Sequence, residues 1–230
     1  MNNRLLHRFC IVLGIIMFAV PLHADTVRIM GIGDSITEGG GTFTSYMGPL
    51  ARLLSAAGFD YEFVGPRNGS SAGISYKHAA FGGKNTEYVE QRIDSIYRTF
   101  PADIVLIHSG HNHFVEEKPV PGIVAAHRSM IDKIMQVNPD AVILIAGVIH
   151  SGKLPKYSYI AELNESLRQM VEDVNRPNVK YVSVNDGFDW RIHTIADKVH
   201  PNLTGAFVMA CNWFKVLNPI ILQCFVEKKS

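Results

Sequence analysis

Residues 26–38 read TVRIMGIGDSITE. A strand-like apolar run reaches Ile29 and Met30 and then breaks at Gly33-Asp34-Ser35, residue types that favour a turn. A serine after Gly-Asp is weak evidence of anything by itself. The unit decides the fold because its pattern, an apolar strand followed by an amphipathic helix, recurs along the chain. Strands are predicted at 26–32, 61–65, 103–110, 141–149 and 179–184, and helices at 44–58, 85–100, 122–138, 158–175 and 202–217, the last ending before Pro219. Residues 66–83, rich in Gly, Ser and Asn, read as a long loop. Met130, Ile134 and Met135 fall at helical spacing and read as core. Five strands separated by helices call for a parallel sheet covered on both faces by right-handed crossovers. The expected fold is a three-layer α/β/α sandwich around a five-stranded parallel sheet, in which ligands sit beyond the carboxyl ends of the strands.

The chain has 230 residues, 47% hydrophobic and 19% charged, which fits one sizeable core rather than two domains. Residues 1–24 run from the basic MNNRLLHR through the apolar FCIVLGIIMFAV to PLHA. This is the order of a secretory signal peptide, with an apolar run shorter than a relaxed bilayer span; an uncleaved anchor is the alternative. The expectation is a signal peptide at 1–24, a single domain at 25–230, a secreted or periplasmic location, and no stable membrane insertion after cleavage. No later segment reads as long and apolar enough to span. The net charge is +1, and Arg4 and Arg8 lie in the leader, so residues 25–230 carry −1 with no basic footprint for nucleic acid. Cys10 leaves with the leader. Cys211 and Cys224 are then either a disulfide, which an exported protein permits, or two buried thiols.

The strand ends collect the chemistry. Strand one ends at Ser35, strand three at Ser109-Gly110-His111-Asn112-His113, the loop after strand two at Phe81-Gly82-Gly83, and Asp197 and His200 precede the last helix. Together these are the parts of an acyl-transfer site. A serine hydroxyl needs a base to take its proton, and a neutral imidazole such as that of His200 can be that base. Asp197, three residues earlier, can hold the imidazole tautomer if the loop makes one turn. Oxyanion donors are the backbone N–H of Ser35, the backbone N–H of Gly83 and the Asn112 side-chain amide. Asp34 reads as a turn and packing residue.

GDSIT, then GG before KNTEYV, then GHN, then DKVH, in that order, resemble the four sequence blocks of the SGNH (GDSL-type) hydrolases, whose name-giving residues correspond to Ser35, Gly83, Asn112 and His200. The resemblance spans residues 26–218. It implies a flavodoxin-like sandwich and a serine esterase with a Ser-His-Asp arrangement. TSYMGPLARLLSAAGFDYEFVGPRNG, KHAAFGGKNTEYV and VHPNLTGA are further similar to carbohydrate esterase family three, implying a carboxylic ester hydrolase that removes acetyl groups from a polysaccharide or oligosaccharide. Two positions depart from the family pattern. His113 stands where an Asp usually follows the Asn, and Gly82 replaces a frequent Ser, so register leaves Gly82 and Gly83 both open, with Gly83 preferred.

Tyr157, Tyr159 and Trp190 lie in loops near the predicted rim, where aromatic rings suit sugar stacking as well as packing. His111, Tyr157 and Trp190 are the candidate substrate contacts. His108, His111 and His113 form a His-x-x-His-x-His pattern that invites a metal, but strand alternation directs His108 to a different face and no carboxylates cluster nearby, so neither metal nor cofactor is expected. Rival readings are a lysophospholipase or thioesterase of the same superfamily, a non-catalytic glycan-binding module, and a metal-dependent phosphoesterase using the histidines.

Overall fold

A computed structural model describes residues 26–227, with side chains through Cys224; the predicted signal peptide lies outside the described residues. Strand β1 (Val27–Gly33) is central. It leads through α1 (Ser35–Glu38) and α2 (Met47–Ala56) to β2 (Tyr61–Phe63), then β3 (Arg67–Ser71) and β4 (Ile74–Ala80). There follow α3 (Thr86–Thr99), β5 (Ile104–His108), α4 (Val120–Val137), β6 (Val142–Ala146), α5 (Ile160–Val174), β7 (Val179–Val182), α6 (Trp190–His193) and α7 (Leu203–Glu227).

The sheet runs β3-β4-β1-β5-β6-β7, with β2 also paired to β1. All pairings are parallel except β3 with β4. β2 and β4 share one edge of β1: β2 pairs with Val27–Ile29 and β4 with Ile32–Gly33. The parallel sheet is therefore five strands wide, as expected, with one position split between two segments. Gly65, at φ 147°, makes the exchange possible, since a Cβ there would lie 2.4 Å from the His78 carbonyl carbon as β4 comes in.

Period-two alternation sorts the strand residues between two cores. Met30, Ile32, Val105, Ile107, Ile143 and Ile145 face α3, α4 and α5 through residues such as Ile93, Ile131 and Leu163. Val27, Ile29, Ile104, Leu106, Leu144 and Ala146 face α2 and α7 through Leu50, Leu54, Met209 and Trp213. Each buried Val, Leu, Ile or Met among them, taken from water, contributes about 1.5–3 kcal/mol. Asn85 caps α3 by accepting from Tyr88 N–H at 3.1 Å.

Three expectations are corrected. The loop at 66–83 holds the β3–β4 hairpin, whose turn residues Ala72 (φ 51°) and Gly73 (φ 77°) both adopt the left-handed backbone of a two-residue hairpin. The last helix passes through Pro219 to Glu227. The proline removes one backbone hydrogen bond, while Leu217 and Ile221, buried on either side of it, keep the helix on the sheet. Finally, Leu203–Cys224 is long and apolar enough to cross a membrane by length and composition, with mean hydropathy 1.4. Its Ala206, Met209, Ala210, Trp213, Leu217 and Ile221 are buried in the second core, which accounts for that composition. Cys211 and Cys224 lie on this one helix, about 20 Å apart along its axis, and are not bonded to each other.

Candidate active site

The carboxyl ends of β1, β4 and β5 meet at one rim. Gly33 ends β1 beside His108, the end of β5, and a Cβ at Gly33 would lie 2.2 Å from the His108 carbonyl oxygen. Only glycine lets the two backbones come this close just before the turn. Asp34 then caps α1, its Oδ1 accepting from Ile36 N–H at 3.0 Å, and Ser35 is the first helical residue.

Ser35 Oγ lies 2.8 Å from His200 Nε2, and His200 Nδ1 lies 2.5 Å from Asp197 Oδ2. The tautomer with a proton on Nδ1 donates to Asp197 and leaves Nε2 to accept from the serine hydroxyl. The other Asp197 oxygen accepts from the N–H groups of Val199 (2.9 Å) and His200 (3.0 Å). Partial burial alone raises the Asp197 carboxyl. The hydrogen bonds from His200 and these two N–H groups outweigh it and hold the carboxyl below its ordinary value. The loop is itself held: Ile195 N–H donates to His200 O, and Gly152 N–H and Ser151 Oγ both donate to Lys198 O at 2.9 Å.

Gly83 has φ 72°, and among the described residues neither its N–H nor that of Ser35 finds an acceptor. Gly82 N–H is committed to Glu38 Oε2, which Arg67 of the hairpin grips from the other side. The unforeseen hairpin thus fixes the loop that presents Gly83. Asn112 also has a left-handed backbone (φ 69°), and its Nδ2 donates to Lys84 O at 2.9 Å, beside Gly83. One of the two amide protons is used there, and the second finds no acceptor among the described residues.

His111 is 2% exposed, its ring edge-on to Tyr157 at 5.0 Å, so it offers little surface to a substrate. Tyr157 is 6% exposed, and it lines a cavity of about 750 Å³ together with His150, Leu154, Trp190 and Arg191. Trp190 lies over Gly152 and within 5.9 Å of Lys198 Nζ, which places this cavity against the Asp197–His200 loop. A larger cavity, about 930 Å³, opens beside Tyr61, Asn68 and Ser75, and none of its lining residues belongs to the serine–histidine constellation. The alternation argument for His108 fails because β5 ends at that residue: its ring stacks on His111 with centroids 6.2 Å apart. His113, in place of the usual Asp, lies 3.0 Å from Glu87 Oε2 and 3.1 Å from Glu117 Oε2. Burial favours its neutral ring, but the two carboxylates prevail and raise its pKa.

Sequence reasoning missed Phe43, whose ring stacks on His200, and the Glu38–Arg67 brace. It also missed the environment of Asp34. That carboxyl is fully buried, and its Oδ2, 3.8 Å from His111 Nδ1, has no hydrogen-bond partner among the described residues. Burial raises it to about 6. The native state therefore binds this proton more tightly than the unfolded chain. The associated stability is complete below about pH 4 and lost as pH rises through about 6. Asp34→Asn keeps the cap acceptor and removes the titration. Relative to the unsubstituted protein it is expected to gain up to about 3 kcal/mol between pH 4 and pH 8, measured by urea unfolding at both. An equal difference at the two pH values contradicts the burial account.

The sequence profile described as the GDSL-like Lipase/Acylhydrolase family matches residues 32–206. A multidomain esterase of Ruminococcus flavefaciens is 24% identical over 220 residues, covering 84% of this chain; the chain spans 28% of that relative's length. Among solved structures, a carbohydrate esterase family 3 protein from Talaromyces cellulolyticus superposes with TM-score 0.77 at 21% identity, covering 86% of this chain and 99% of the other. A family 3 carbohydrate esterase from Clostridium thermocellum gives 0.75 at 25% identity, covering 86% and 98%. The fold neighbours thus share the sandwich over nearly their whole length, and the profile covers the serine, glycine, asparagine and histidine blocks together: the chain belongs to the GDSL-like lipase/acylhydrolase family.

Proposed function

We propose that this protein is a serine esterase that hydrolyses small acyl esters, acetyl first among them, on a polysaccharide or oligosaccharide. The observation that carries the reading is the continuous hydrogen-bonded line Ser35–His200–Asp197. Ser35 Oγ attacks the ester carbonyl carbon as His200 Nε2 takes the hydroxyl proton, and Asp197 stabilises the imidazolium. The N–H groups of Ser35 and Gly83 and the Asn112 amide receive the oxyanion. The intermediate collapses, and the C–O bond to the leaving alcohol breaks as His200 returns the proton to it. Water then attacks the acyl-serine, giving its proton to His200, and the second collapse releases the carboxylic acid and restores Ser35. Protons and electron pairs move among Ser35, His200, substrate and water, so these steps need no cofactor.

The carbohydrate preference is supported by what the family 3 neighbours are and by the aromatic cavity at Tyr157 and Trp190. Leu154, 64% exposed, lines that cavity too and gives a longer acyl chain an apolar contact. Export, proposed on the order of residues 1–24, places the activity where polymeric glycans are met. The test is release of acetate from a panel of acetylated glycans, run beside a chain-length series of nitrophenyl esters with Ser35→Ala as control. Preference for acetyl and release from glycan support the reading; preference for long chains moves the assignment to a lysophospholipase or thioesterase. Within this mechanism Asn112→Ala is expected to lower kcat by about 10²–10³. A change confined to KM contradicts its oxyanion role.

A further inference from the structure

We propose that Phe43 is a positioning residue that holds the His200 imidazole in plane for proton transfer, an inference resting on the esterase reading above. The two hydrogen bonds of His200 enter at Nδ1 and Nε2, on opposite sides of the ring. They fix its direction but leave it free to rock about the line joining them. A contact on the ring face removes that freedom. Phe43 supplies it, with centroids 4.1 Å apart and planes 25° from parallel.

The loop that carries Phe43 is built for this contact. Thr44 N–H donates to Pro201 O at 2.9 Å, tying the next residue on from Phe43 to the next residue on from His200. Ser45 Oγ donates to Thr37 O at 2.8 Å, and Ser71 Oγ to Ser45 O at 2.9 Å, which anchors the loop to α1 and to the hairpin. Gly40 passes beneath the ring: a Cβ there would lie 2.5 Å from Phe43 Cε1. Phe43 itself belongs to neither apolar core. Its π face also meets the imidazolium that forms as Ser35 gives up its proton, an interaction stronger with the cation than with the neutral ring. The contact therefore acts in the transition state more than in substrate binding.

The test uses the full chain with Phe43→Ala, Phe43→Leu and Phe43→Tyr, assayed on nitrophenyl acetate. The low-field proton resonance of the Asp197–His200 hydrogen bond is recorded in parallel. Phe43→Ala is expected to lower kcat by about 10- to 100-fold with KM within about twofold, since small misplacements of a catalytic group carry penalties of this order. Phe43→Tyr is expected to retain activity and Phe43→Leu to fall between. The low-field resonance is expected to be sharp in the unsubstituted and Tyr proteins and broadened in the Ala protein. A kcat for Phe43→Ala within about twofold of the original, an effect confined to KM, equal losses in the Ala and Tyr variants, or an unchanged resonance overturns the proposal. Should turnover survive Ser35→Ala, the esterase reading fails instead, and the resonance still decides whether Phe43 orders the imidazole.

Discussion

Ser35→Ala is expected to lower kcat on acetyl esters by about 10⁶, the scale on which serine-triad enzymes lose turnover when the nucleophile is removed. The size follows from the geometry. Ser35 Oγ is the hydroxyl 2.8 Å from the imidazole, and its own backbone N–H finds no acceptor among the described residues. In the proposed mechanism, removing it leaves the donors and the base but no atom to form the acyl-enzyme. His200→Ala is expected to cost about as much, and the double variant little more, because in the proposed mechanism the two groups act as one unit. Additive losses would mean that the two side chains act in separate steps. The measurement is steady-state turnover with the variants purified free of unsubstituted enzyme.

The second large effect is expected at Asp197. Asp197→Asn preserves the size of the side chain and can still accept from the N–H groups of Val199 and His200. Facing Nδ1, however, the carboxamide can present its NH₂ group. The imidazole then carries its proton on Nε2, directed at Ser35, and cannot accept from the hydroxyl. The expected loss is up to about 10⁴ in kcat with little change in stability. Asp189 and Asp186 are the other acids of this region. Asp189 caps α6 and is bound on both oxygens by Arg191, which holds it down at about 2, while Asp186 is exposed. A neutral Asp197→Asn would point back to one of them.

What the sequence disclosed, and what it did not, divides along physical lines. The buried strands were readable because Ile104–His108 and Val142–Ala146 are nearly unbroken apolar runs of strand length, and Ser35, Asn112 and His200 lie beyond the ends of β1, β5 and β7. The hairpin was not readable because RNGSSAGISYKHAA has the composition of a loop, and the burial of Tyr76 and His78 comes from packing that composition does not show. The helix end at Pro219 was misplaced because a proline rule applies to an isolated helix, whereas α7 is held from both sides of the proline by the core. Phe43, Glu38 and Glu87, which faces His113, escaped notice for one reason. Each acts through a partner distant in sequence, and only the folded chain brings Phe43 to His200 or Arg67 to Glu38.

The most direct test of the central claim is to look for the covalent intermediate. The protein is mixed with nitrophenyl acetate, quenched in acid within the first turnovers, digested and analysed by mass spectrometry. The proposed mechanism predicts one acetyl group per chain, on the peptide containing Ser35, absent from the Ser35→Ala protein and formed far more slowly in His200→Ala. Steady acetate release with the label on another residue, or release undiminished in the Ser35→Ala protein, would contradict it.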